Sequence, residues 1–77
     1  MRVQVMSLKG VVKQAGKKYT LVKSTYDISD AWDYIKLVKA NNRISEADKE
    51  KYKVVTRVKT PEGNKWMDVL TDKILEV

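Results

Sequence analysis

Residues 28–41 read I-S-D-A-W-D-Y-I-K-L-V-K-A-N, the one segment of the chain with a sustained helical period. Ala31, Tyr34, Ile35 and Val38 recur at i, i+3, i+4 and i+7, so they line one face of a helix. Ile28 and Trp32 widen that face, while Asp30, Asp33 and Lys36 fall on the other side. Leu37 projects away from the stripe, as a rotation of ~100° per residue requires. Ser29 is the expected N-cap, with Asp27 as the competing cap. Asp30 and Asp33 then stand at the positive end of the helix dipole, and Lys36, Lys39 and Arg43 toward its negative end. Asn41 and Asn42 are suited to a left-handed closing residue.

Outward from this helix, both flanks read as strand. Before it, residues 2–13 form a strand or two short ones, with Val3 and Val5 alternating with Arg2, Gln4 and Met6. Strict alternation fails at Leu8, Val11 and Val12, and Gly10 between them suggests a bulge. Gln14-Ala15-Gly16-Lys17 is a turn with Gly16 at positive φ, and residues 18–26 return as a strand rich in β-formers. An Ala15-Gly16 loop sets Val12 opposite Tyr19 and Lys13 opposite Lys18, an unfavourable like-charge pair that a shifted register would relieve.

After the helix, Ser45-Glu46-Ala47-Asp48 has the pattern of a capped helical turn without an apolar face, hence a connector. Residues 52–60 are the cleanest strand. Tyr52, Val54, Thr56, Val58 and Thr60 share one side, and Lys53, Val55, Arg57 and Lys59 the other. A four-residue loop at Pro61-Glu62-Gly63-Asn64 would pair Val58 with Met67, Thr56 with Val69, Arg57 with Asp68 and Lys59 with Trp66. Residues 72–77 read as a last short strand, with a helical turn as the alternative.

The expected architecture is a single α+β domain over residues 1–77. It is a small antiparallel β-sheet of two hairpins in the order ββαββ, with a further strand at 72–77 and one main helix packed on one face. That helix face should cover Val54, Val58, Met67 and Val69, plus Leu21. A chain of 77 residues buries only a little over ~60% of its unfolded surface, so stability should be modest.

Composition narrows the function. With neither Cys nor His, Ser-His and Cys-His catalysis and the usual zinc sites are excluded, and no disulfide supports the fold. No glycine-rich phosphate loop is present. Asp27, Asp30 and Asp33 are the one carboxylate cluster, read as dipole-stabilising acids in preference to a hard-cation site. No enzyme activity, cofactor or metal is expected. The start M-R-V-Q-V-M lacks the apolar core of a signal peptide, and no run is long enough to span a bilayer. The expected location is therefore cytoplasmic, in a reducing compartment, with no membrane partner.

Charge is the most informative property. Residues 1–26 carry six bases and no acid, against a net charge of +6 for the whole chain. Such a block sets up a positive potential wherever it lies. Two candidate binding surfaces follow. Lys9, Lys13, Lys17, Lys18 and Lys23 border the first hairpin with Tyr19 among them. Lys53, Arg57, Lys59 and Lys65 with Trp66 form the outer face of the second. Basic side chains interleaved with aromatics suit nucleic acid, since charges neutralise phosphates and rings stack on bases. The absence of Phe, with every aromatic a Tyr or Trp, suits a protein interface instead. In size, lysine content and element order the chain resembles the small β-β-α-β-type proteins that phages encode to bind and disable a host protein. That resemblance implies a protein partner, without shared signature residues. The expectation is a non-enzymatic binding module with a protein partner, nucleic acid being the alternative.

Overall fold

A computed structural model describes residues 7–77. The strand character expected for residues 2–6, and Arg2 with it, lie outside the described residues. Among those described, the elements are β1 (Lys9–Ala15), β2 (Lys18–Thr25), α1 (Ile28–Ala40), α2 (Glu46–Lys49), β3 (Tyr52–Thr60), β4 (Gly63–Asp68) and β5 (Ile74–Leu75). The strands form one antiparallel sheet in the order β2-β1-β3-β4-β5. This is the α+β fold expected, and the C-terminal segment contributes a strand.

The helix is capped differently from expectation. Asp27, not Ser29, is the N-cap. Its Oδ1 accepts from the Ser29 N–H at 2.9 Å and from Ser29 Oγ at 2.8 Å. A carboxylate two residues earlier can take both donors of Ser29, which a hydroxyl at Ser29 cannot do for itself. At the other end Asn41 is extended, with φ −83° and ψ 112°, and not left-handed. Its N–H bonds back to the Val38 carbonyl, and its Oδ1 accepts from the Arg43 N–H at 2.9 Å. The asparagine thus closes the last turn through its backbone N–H and shapes the turn that follows through its side chain. Ser45 caps α2 as expected, accepting from the Asp48 N–H at 3.2 Å.

The central valines explain why alternation failed in the first strand. Val11 and Val54 are buried on the helix side with Ala31 and Ile35, ringed by Trp32, Tyr34, Tyr52 and Val69. Val12 and Val55 are buried on the opposite side with Trp66, flanked by Leu8, Tyr19 and Leu75. The sheet centre is therefore apolar on both faces. Consecutive valines there are the mark of a strand covered from two sides. Helix α1 lies over β1, β2 and β3, so Val54 and Val69 meet its cluster while Val58 and Met67 are only half-buried outside it. Leu21, expected under the helix, pairs with Val12 and belongs to the other face.

Both hairpins depart from expectation: the first keeps a two-residue turn but moves it on by one residue, and the second is tighter by two. In the first, Ala15 pairs with Lys18 around a two-residue Gly16-Lys17 turn, with Gly16 at φ 67°. Lys13 then faces Thr20 instead of Lys18, and Tyr19 faces Gln14. The shifted register removes the direct like-charge pair. The irregularity falls between Val11 and Val12, and the extra residue is Val22 on β2, not a bulge in β1 at Gly10. Gly10 serves close approach: a Cβ there would lie 2.6 Å from the Lys23 carbonyl oxygen. In the second hairpin Thr60 pairs with Gly63 across Pro61-Glu62. Gly63 takes φ 118°, which a four-residue loop reading overlooks. The register differs by two residues, so each side chain keeps its face but changes partner. Arg57 pairs with Trp66, Thr56 with Met67, Val58 with Lys65 and Lys59 with Asn64.

The sheet is rolled. β2 and β5 are its edges, yet the Tyr19 N–H donates to the Glu76 carbonyl at 2.8 Å. This hydrogen bond brings the two edges together around the Trp66 cluster.

Candidate binding surface

Pairing and alternation place each basic residue. Lys9 and Lys13 share the α1 side of β1 with Val11. Their partners put Lys18, Thr20, Lys23 and Thr25 on that same side. Lys17 occupies the turn. The first candidate surface is thus one-sided, apart from Tyr19, which turns to the opposite face and packs against the Trp66 cluster.

The second surface is divided. Lys53, Arg57 and Lys59 alternate on the side of Val55 and Trp66, but Lys65 pairs with Val58 and falls on the α1 side. Trp66 is only 7% exposed, so its ring is a packing element with no face open to a base. Arg57 lies over it, 5.1 Å from ring to guanidinium carbon. Asp68, expected opposite Arg57, instead pairs with Val55, lies 3% exposed and sits 3.8 Å from the Lys53 ammonium. Its Oδ1 accepts from the Leu70 N–H at 2.9 Å, and its carbonyl accepts from the N–H of Asp72, held at φ 58°. Buried Asp68 therefore organises the loop between β4 and β5 and is not a free charge.

Ion pairing reaches two bases of the second hairpin, Lys53 and Lys65, and none of the first among the described residues. Among the described residues the salt bridges are Lys49 with Glu46, Lys51 with Asp48, Lys53 with Asp68 and Lys65 with Glu62. The acids respond accordingly. Hydrogen bonding and charge from Lys51 hold Asp48 below its ordinary pKa, and Lys65 does the same to Glu62. Lys9, Lys13, Lys17, Lys18 and Lys23 take part in no salt bridge among the described residues, although the charge of Lys13 adds to the lowering of Asp48 and that of Lys9 to the lowering of Asp27. The Lys9 ammonium donates to the Ser7 carbonyl at 3.0 Å, and that of Lys13 lies 5.7 Å from the Tyr52 ring. Tyr52 in turn meets Tyr34 of α1 at 6.5 Å.

Two features escaped the sequence. One is a cleft of about 460 Å³ between α1, α2 and the end of β4, floored by Trp32, Ile35 and Val54 and bordered by Leu70, which is 76% exposed. The unused width of the apolar stripe at Trp32 was its only signal. The other is the outer edge of β2, set by strand order. Among the described residues no three Asp or Glu side chains gather into a metal site, and no helix is long and apolar enough to cross a membrane. Asp27 is committed to Ser29, and Asp30 Oδ2 accepts from Thr25 Oγ1 at 3.3 Å. No protein-family model, curated protein or solved structure matches the chain.

Proposed function

We propose that the protein is a non-enzymatic binding module that engages an acidic protein surface through its first hairpin. The observation that carries this is the contrast in charge pairing. Lys49, Lys51, Lys53 and Lys65 have carboxylate partners, whereas Lys59 of β3 and the five lysines of β1, β2 and their turn have none among the described residues, and β1 and β2 themselves carry no acid. Four of those five lie on one side of the sheet. Unneutralised charge of one sign steers an oppositely charged partner and fixes its orientation. A protein partner is favoured over nucleic acid because neither aromatic of the two candidate surfaces opens beside these lysines, and Tyr52, which shares their side, is half-buried against Tyr34. Tyr19 faces away and Trp66 is buried. A phage-type or regulatory protein acting on a host target would have this character.

Two charge-reversal pairs test the assignment, Lys13→Glu with Lys18→Glu and Lys49→Glu with Lys51→Glu. Both lower net charge equally. Binding to immobilised polyglutamate and to a random DNA duplex is measured across a salt series. Retention on polyglutamate lost only in the first variant supports the proposal. Equal losses mean that net charge alone acts and remove the hairpin's role. Preferential DNA retention, with a log–log salt slope that falls by ~0.9 for each phosphate the variant no longer neutralises, replaces the protein partner with nucleic acid.

A further inference from the structure

We infer that the acidic partner binds as an added strand along the outer edge of β2, its acids on the α1 side and its apolar residues beside Leu21. This rests on the acidic-partner reading and specifies its geometry. β2 is an edge strand of eight residues, whereas the other edge, β5, has two. The phase of its backbone follows from the tight turn. Ala15 and Lys18 close the hairpin as a bonded pair, so the N–H and C=O groups of Tyr19 and Leu21 point away from β1. The Tyr19 N–H confirms this phase, since it already donates outward to the Glu76 carbonyl at 2.8 Å. Extended backbone thus occupies one end of the edge and leaves Leu21 in phase beyond it.

The side chains select the occupant. Lys18 and Lys23 lie on the α1 side of β2, with Lys13 and Lys9 behind them on β1. Leu21, an exposed apolar residue, lies on the other side. An antiparallel strand that bonds to Leu21 places the residue opposite on Leu21's side and its neighbours on the lysine side. Alternating apolar and acidic residues therefore satisfy both faces. The same lysines exclude a second copy, because pairing two β2 edges would set lysine against lysine. The edge is guarded against itself and open to an opposite charge.

The probe is an acetylated, amidated hexapeptide of alternating Glu and Val, tested beside two versions N-methylated at the Val or at the Glu positions. All three carry the same charge. Strand addition predicts that methylation at Val, whose N–H groups face β2, weakens binding by about tenfold or more. Methylation at Glu should leave it within about twofold. On binding the parent peptide, the Leu21 amide should gain protection from hydrogen exchange. Lys18→Glu with Lys23→Glu should abolish binding, and the peptide series on the unaltered chain does not depend on that variant folding. Equal binding by all three peptides overturns strand addition and leaves the acidic-partner reading intact. No binding by the parent peptide even at low salt overturns both.

Discussion

A Cβ placed on Gly10 would lie 2.6 Å from the Lys23 carbonyl oxygen and 2.8 Å from Leu21 Cδ1. The leucine tip can move, but the carbonyl belongs to the neighbouring strand's backbone. Gly10→Ala should therefore destabilise by about 1–3 kcal/mol, as overpacking does, measured by urea denaturation. Gly16 offers the contrasting case, with open space around it but φ 67°. Gly16→Ala should cost only the local penalty of a left-handed residue, about 1 kcal/mol. Both glycines were visible in the sequence, yet only the turn was assigned its true role. Gly10's close approach depends on β2 crossing beside it, which no local pattern records. A second residue-scale effect is electrostatic. The Ser29 hydroxyl and N–H hold the Asp27 carboxyl below its ordinary value of 3.8. The sign follows from linkage. Asp27's contribution is present above the unfolded pKa and is lost as pH falls through the lower folded value. A carboxyl NMR titration should place its midpoint below 3.8, and Ser29→Ala should move it upward while the backbone donor keeps part of the shift.

At the scale of elements, the helix stripe was legible because its period depends only on the chain itself. Ile35 is buried against Val11 and Val54, whereas Leu37 is 71% exposed. Ile35→Ala should destabilise by about 2–5 kcal/mol and Leu37→Ala by under about 0.5, as chemical denaturation of both variants would show. A costlier Leu37 would mean that α1 is rotated about its axis. The strand from Tyr52 to Thr60 was equally plain, and so were the faces of its side chains. What the sequence left open was pairing. A slip of two residues preserves every inward and outward assignment, so hydrophobic pattern alone cannot detect it. Arg57 was consequently matched with Asp68 when its neighbour is Trp66. The second core was hidden for a related reason. Trp66 reads as an outer-face residue until the sheet rolls and covers it with Tyr19 and Leu75. Trp66→Ala should cost about 3–5 kcal/mol, comparable to a loss on the helix side. Near-zero cost would show that only one face of this sheet is a core.

Across the whole molecule, stability and charge act on the same hairpin. The candidate lysines could be counted in the sequence, but their common side depended on the β1–β2 register and on the extra residue at Val22. That register sets Lys13 diagonal to Lys18, and Lys9 diagonal to Lys23, on one face. Diagonal neighbours in an antiparallel pair are about 7–8 Å apart. That spacing is close to the Debye length of about 10 Å at 0.1 M salt and well beyond the 3 Å at 1 M. The four lysines should thus repel one another in dilute buffer and be screened in concentrated sodium chloride. An ordinary protein whose charges are paired loses a little stability to screening, since its attractive pairs weaken. Here the uncompensated hairpin should reverse the sign, so that the melting temperature rises between dilute buffer and about 1 M salt. Lys13→Glu with Lys18→Glu turns repulsion into mixed attraction on that face and should flatten or invert the trend. The Lys49→Glu, Lys51→Glu pair breaks salt bridges to Glu46 and Asp48 while leaving the hairpin intact, and should retain the rise. Thermal melts of the three proteins, each at low and high sodium chloride, separate the cases. The same rise in the wild type and in the Lys13/Lys18 variant would show that the hairpin lysines stand too far apart to interact, and their joint action on a partner would lose its physical basis.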